Sequence, residues 1–200
     1  MRALLSWLLV LGSCEAGIEQ DPPAVRILFF NYARVSGRAL SQAQNEATRV
    51  LRNAGVRAEW VDCPTLPGQE RQLADCTVSQ SSRTVQLRLL TTSMVKGAKT
   101  GHATLGTAIL PFQGDGMVAN VFPSRAEQVS ANRSLGRGVI LGHLMAHELG
   151  HLLLGAGSHS SCGLMRNPWG KAELTWAAQG SLNFSSAEAE RIRARLRSHS

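Results

Sequence analysis

The sequence contains no uninterrupted apolar run of about 18 residues, the length a helix needs to cross a bilayer, so a membrane span is not expected. Aromatic residues are scarce, at 5% with a single tyrosine, which leaves few stacking platforms for single-stranded nucleic acid. Internal repeats and low-complexity stretches are missing as well, which sets aside solenoids and disordered linkers. Acidic residues are outnumbered, and the net charge of +7 would suit an anionic partner. Much of that excess is local. In the tail "ERIRARLRSHS", Arg191, Arg193, Arg195 and Arg197 recur at every second position, which on a helix spreads them over two faces. Arginines in the last turns also match the negative end of a helix, so a solvated, dipole-matched helix is expected there and no nucleic-acid partner.

What is present fits one domain: 200 residues with 44% hydrophobic content can build a single core. The chain opens with "MRALLSWLLVLGSCEAG", a basic residue, an apolar stretch from Ala3 to Leu11 and then small residues, the layout of an export signal over residues 1–17. Cleavage after Ala16 or Gly17 is one reading. The run Leu11-Gly12-Ser13-Cys14 also resembles the lipobox of bacterial lipoproteins, in which Cys14 would carry a lipid anchor. Residues 18–200 then form one secreted, periplasmic or cell-envelope domain, expected to be a monomer. In an oxidising compartment Cys63 and Cys76, which flank a loop with Pro and Gly, are the natural disulfide pair and leave Cys162 single.

Patterning gives the order of elements. "AVRILFFNYA" (24–33) reads as a buried central strand, and Leu40, Ala43, Ala47, Val50, Leu51 and Ala54 fall at helical spacing with Gly55 as the stop. "VRAEWVDC" completes a βαβ unit. Residues 64–82 read as a loop with at most a short helical turn. Strands are expected at 84–94, 105–111 and 116–122, followed by a polar stretch and a long apolar helix over 135–155. Ser185 or Ser186 can cap a last helix with Ile192 and Leu196 on one face.

The long helix carries chemistry. In "HELGHLLLGAGSHSSCGLM" (147–165), His147 and His151 stand one turn apart and can aim their imidazoles at one point, where about 2.0–2.1 Å per bond holds zinc. Glu148 falls beside such an ion rather than on it, where a general base must stand. A catalytic zinc needs a third ligand, and His159 lies beyond Gly155 and Gly157, which let the chain turn back.

This stretch resembles the metzincin signature HExxHxxGxxH with its following methionine turn, and the likeness extends to short exported bacterial peptidases of that kind. The resemblance implies zinc on His147, His151 and His159, Glu148 as base and Met165 as a hydrophobic floor beneath the ion. The chain departs from the signature, since Leu154 and Gly157 stand where Gly and His are expected. Cys162 or Glu173 could replace His159 as third ligand. The implied fold is α+β: a mixed, twisted sheet of about five strands, an antiparallel edge strand, an active-site helix, a Met-turn and a C-terminal helix. That edge strand, with Gly106, Thr107 and Ala108, would bind peptide by strand addition. The implied function is an exported zinc endopeptidase acting on peptide or protein substrates. The alternative is a non-catalytic exported module that keeps the metal for stability. His143 reads as an inner helix histidine satisfied by a neighbour, His102 and His199 as solvated, and Pro168 and Trp169 as pocket lining or core.

Overall fold

The computed structural model describes residues 21–66, 74–76, 83–95, 106–109, 118–131 and 136–198. The expected export signal over residues 1–17, with Cys14, and also His102 and His199 lie outside the described residues. Five strands, β1 (Ala24–Asn31), β2 (Arg57–Cys63), β3 (Thr84–Leu89), β4 (Gly106–Ile109) and β5 (Val118–Val121), form one sheet in the order β2-β1-β3-β5-β4. All neighbours run parallel except β4, which pairs antiparallel with β5 at the sheet margin. This is the mixed five-stranded sheet with an antiparallel edge that the sequence led us to expect.

The uninterrupted apolar run of β1 follows from its place between β2 and β3. Val25, Ile27 and Phe29 enter the main core, while Leu28 on the opposite face packs with Cys63 and Cys76. Those two cysteines are joined by a disulfide that closes over this second face. Helix α1 (Gly37–Asn53) links β1 to β2 and buries Ala43, Ala47, Val50 and Leu51; Gly55 ends it with φ +74.

The remaining helices are α2 (Thr92–Val95), α3 (Pro123–Ala131), α4 (Arg137–Leu154), α5 (Lys171–Ala178) and α6 (Ser186–Ser198). Helix α4 is apolar on nearly every side because it is enclosed, with α1, the sheet and α6 around it. Its contact with α1 depends on two glycines a turn apart. A Cβ on Gly142 would lie 2.6 Å from the Ala43 carbonyl oxygen, and one on Gly138 would lie 2.9 Å from that of Ala39. The two backbones therefore touch almost directly.

Several expectations need correction. The third strand stops at Leu89, and Thr92–Val95 is a helical turn. The polar stretch before α4 contains the nine-residue α3, and α5 was not anticipated. The arginines of α6 do not simply face solvent at their own helix end. Arg193 Nη1 donates to the Ala54 carbonyl at 2.8 Å, closing the end of α1, and Arg191 Nη2 approaches the Leu154 carbonyl at the end of α4 at 3.5 Å. Cations thus do meet negative helix termini, but those of neighbouring helices.

Candidate metal centre

His147 and His151 project from the same side of α4, and each ring is oriented through its Nδ1 atom. His147 Nδ1 donates to the Leu164 carbonyl at 2.7 Å, so in the neutral ring the proton sits there and Nε2 carries a bare lone pair. His151 Nδ1 lies 2.7 Å from the Ser158 hydroxyl, which can accept its proton in the same manner. The two Nε2 atoms then face each other at 3.1 Å. Two nitrogens bound tetrahedrally at about 2.0–2.1 Å would stand about 3.3–3.4 Å apart, so the observed pair is already close to ligand spacing.

His159 approaches from the turn after α4. The helix stops at Leu154, Gly155 takes φ +88 and Gly157 φ +69, and the chain doubles back over the two inner histidines. The ring of His159 is centred 4.6 Å from that of His151 and 5.7 Å from that of His147. One nitrogen from each of the three histidines fits within a group no more than 4.8 Å across. His159 is exposed, so its side chain is free to close the remaining gap.

Burial keeps the inner rings uncharged. It holds His147 down at about 4 and His151 at about 3, the latter lowered further by the two neighbouring histidines. Glu148 is 4% exposed, its Oε2 has no hydrogen-bond partner among the described residues, and burial pushes its carboxyl up to about 8. Gly106 of β4 rests against it so closely that a Cβ there would lie 2.6 Å from the carboxyl carbon. Bare lone pairs beside an unpaired buried carboxyl are an incomplete electrostatic arrangement, and a cation held by the imidazoles would complete it. The donor set, nitrogen only with a nearby acid, suits zinc better than magnesium or calcium.

Below the helix the chain makes a tight turn. Arg166 N–H donates to the Gly163 carbonyl, Ser160 N–H to the Met165 carbonyl, and Leu164 N–H to the Asn183 carbonyl. Met165 is fully buried, and a Cβ on Gly150 would lie 2.5 Å from its sulfur, which places the thioether under the turn of α4 between His147 and His151. The Leu164 carbonyl accepts a second bond, from Trp169 Nε1 at 3.0 Å, and the tryptophan ring stands edge-on to His147.

These parts surround an open cavity of about 670 Å³. Gly106, Thr107 and Ala108 form one side, residues 156–159 another, and Arg166 to Trp169 the third, with the histidines and Glu148 at the base. Among the described residues, the outer edge of β4 has no neighbouring strand.

The structure does not bring the other ligand candidates here. Cys162 is exposed, and Glu173 is fully buried in a pair with Arg166; neither belongs to the cluster of metal-binding groups. His143 is fully buried, donates from Nδ1 to the Val139 carbonyl, and has Nε2 3.1 Å from Glu46 but poorly aligned with it. Pro168 and Trp169 line the cavity, and Trp169 also packs against the core. Sequence reasoning missed Ser158, the Leu164 carbonyl and the Arg166–Glu173 pair. Only Ser158 left a trace, as a hydroxyl next to the third histidine.

The three histidines, the acid and the turn define a candidate zinc centre at the floor of a cleft. No protein-family profile and no curated protein matches the chain. Among solved structures it is similar to metalloproteinase-II from Bacteroides fragilis, with a TM-score of 0.47, 14% identity, and 88% of this chain and 53% of that one covered. It thus spans about half that protein's length. A zinc-dependent peptidase from Methanocorpusculum labreanum (strain Z) gives a TM-score of 0.47 and 14% identity, with 85% of this chain and 99% of that one covered.

Proposed function

We propose that this chain is an exported zinc-dependent endopeptidase of the metzincin type. One observation carries the reading: two bare imidazole nitrogens 3.1 Å apart, with a buried carboxyl beside them that no cation of the described chain neutralises. When bound, zinc supplies a Lewis acid that polarises the scissile carbonyl and lowers the pKa of water. His147, His151 and His159 would hold it, and Met165 would close the space beneath. Glu148 takes the proton of the attacking water and delivers it to the leaving amine. The free edge of β4 would align an extended peptide through its backbone groups, with Gly106, Thr107 and Ala108 beside the base. Export is supported by the Cys63–Cys76 disulfide, a bond that persists in oxidising compartments.

Elemental analysis of the mature protein, with cleavage of a peptide library before and after chelation, tests the assignment. One zinc per chain and chelation-sensitive cleavage are expected. Glu148→Gln should retain the metal and lose about 10²- to 10⁴-fold in turnover. A variant that cleaves at the parent rate would refute the role of Glu148. A stable protein that holds zinc, cleaves nothing and has no open coordination position would instead fit a binding module.

A further inference from the structure

The wall of the cavity beside His147 contains a guanidinium that the hydrolytic chemistry leaves unused. Arg166 directly follows Met165, lines the cavity together with Asn167, Pro168 and Trp169, and is 43% exposed. Among the described lining residues it is the one permanent cation. Its position is fixed from behind. Nη1 donates to Glu173 Oε1 at 2.8 Å, while the other oxygen of Glu173 accepts the Gly170 N–H at 2.8 Å, at the start of α5. Glu173 is 0% exposed. Burial alone would raise its pKa, but the bonds from Arg166 and Gly170 outweigh that and lower it.

This arrangement differs from an arginine that serves packing alone. Glu173 engages the guanidinium through Nη1 only, so the edge formed by Nε and Nη2 makes no hydrogen bond among the described residues, and its two parallel donors can match a carboxylate. The anchoring acid is fully buried and bonded through both oxygens, whereas the arginine it holds is partly exposed and lines the cleft. We infer that Arg166 selects the substrate: the cleft takes peptides presenting a carboxylate next to the bond to be cut, from an Asp or Glu side chain or from the peptide's own C-terminus. Glu173 is then a positioning residue that keeps the guanidinium in place. The net charge of +7 adds a long-range attraction for such acidic peptides. The inference rests on the peptidase reading above.

The test uses zinc-loaded protein and peptides identical except for Glu, Gln or Lys at each position flanking the cleaved bond, each made as the free acid and as the C-terminal amide. Glu should be preferred over Gln about tenfold in kcat/KM, mainly through KM, a modest value because a half-exposed pair is screened by water. Lys should be poorer than Gln. The Glu-to-Gln ratio should fall to about one in Arg166→Gln and be partly kept in Arg166→Lys, which retains charge without the planar fork. Glu173→Gln should reduce the ratio although Arg166 itself is unchanged, because the guanidinium loses its anchor. A preference for free acid over amide, in place of the side-chain preference, identifies the C-terminal carboxylate as the group read. One zinc per chain in each variant confirms that it is folded. As a second readout, the Glu and Gln peptides are titrated into Glu148→Gln protein by calorimetry, with and without Arg166→Gln. Equal binding and equal cleavage of all the peptides would overturn carboxylate selection and leave the peptidase reading intact. Selective binding of carboxylate peptides with no cleavage of any peptide by the parent protein would do the reverse.

Discussion

A histidine has two ring nitrogens, and the partner of one determines what the other can hold. Here the Leu164 carbonyl and the Ser158 hydroxyl occupy the Nδ1 atoms of His147 and His151 and leave both Nε2 atoms for a metal. Ser158→Ala should therefore weaken zinc binding about 10- to 100-fold, as loss of an orienting partner does elsewhere; competition against a chelating dye measures it, and unchanged affinity would show that the hydroxyl plays no part. Glu148 supplies a pH prediction for the metal-free protein. Its folded pKa of about 8 lies above the ordinary carboxyl value of 4.5, so between those limits the folded state holds more protons than the unfolded one, and stability from this residue is lost as pH rises. In chelator, Glu148→Gln removes that loss. The difference in Tm between variant and parent should grow from pH 5 to pH 8, and a constant difference would contradict the burial argument. The spacing of His147, Glu148 and His151 was legible in the sequence because helix geometry alone sets it. The partners that orient the two histidines were not, since Ser158 and Leu164 reach the site through turns whose course no periodicity records.

At the scale of elements, the strongly patterned segments were readable and the short ones were not. α1 shows its helical face over seventeen residues, and β1 reads as buried because apolar side chains line both of its faces. α3 and α5 have nine and eight residues, lengths at which a helix is not stable by propensity and depends on neighbours. In α5 only Glu173, Leu174 and Ala177 are buried, too few to set a rhythm against exposed Trp176. The α1–α4 contact yields a further prediction. Gly142→Ala forces a methyl against the Ala43 carbonyl and the Glu46 side chain, so the helices must separate, at a cost of about 1–3 kcal/mol. Thermal denaturation should register a lower Tm, with reduced zinc affinity because α4 carries two of the three candidate ligands. An unaltered Tm would mean that the helices have room to yield.

Across the whole molecule, the two faces of the sheet have separate duties. The face toward α4 leads to the histidine cluster, and the opposite one packs Leu28 against the Cys63–Cys76 bridge. Reduction of that bridge should cost about 3 kcal/mol, the value for a loop of about 15 residues, while zinc stoichiometry in the folded protein stays at one. Denaturant titration with and without reductant measures the first and elemental analysis the second; loss of metal on mild reduction would show that the faces are coupled. The turn that ends at Arg166 joins several of these duties. One oxygen atom, the Leu164 carbonyl, receives both the His147 and the Trp169 ring protons, so the flank of the cleft and the grip on the ion pivot on a common point. A guest that levers the indole aside must also tug at the imidazole, and occupancy of the groove would thereby be felt at the histidine cluster.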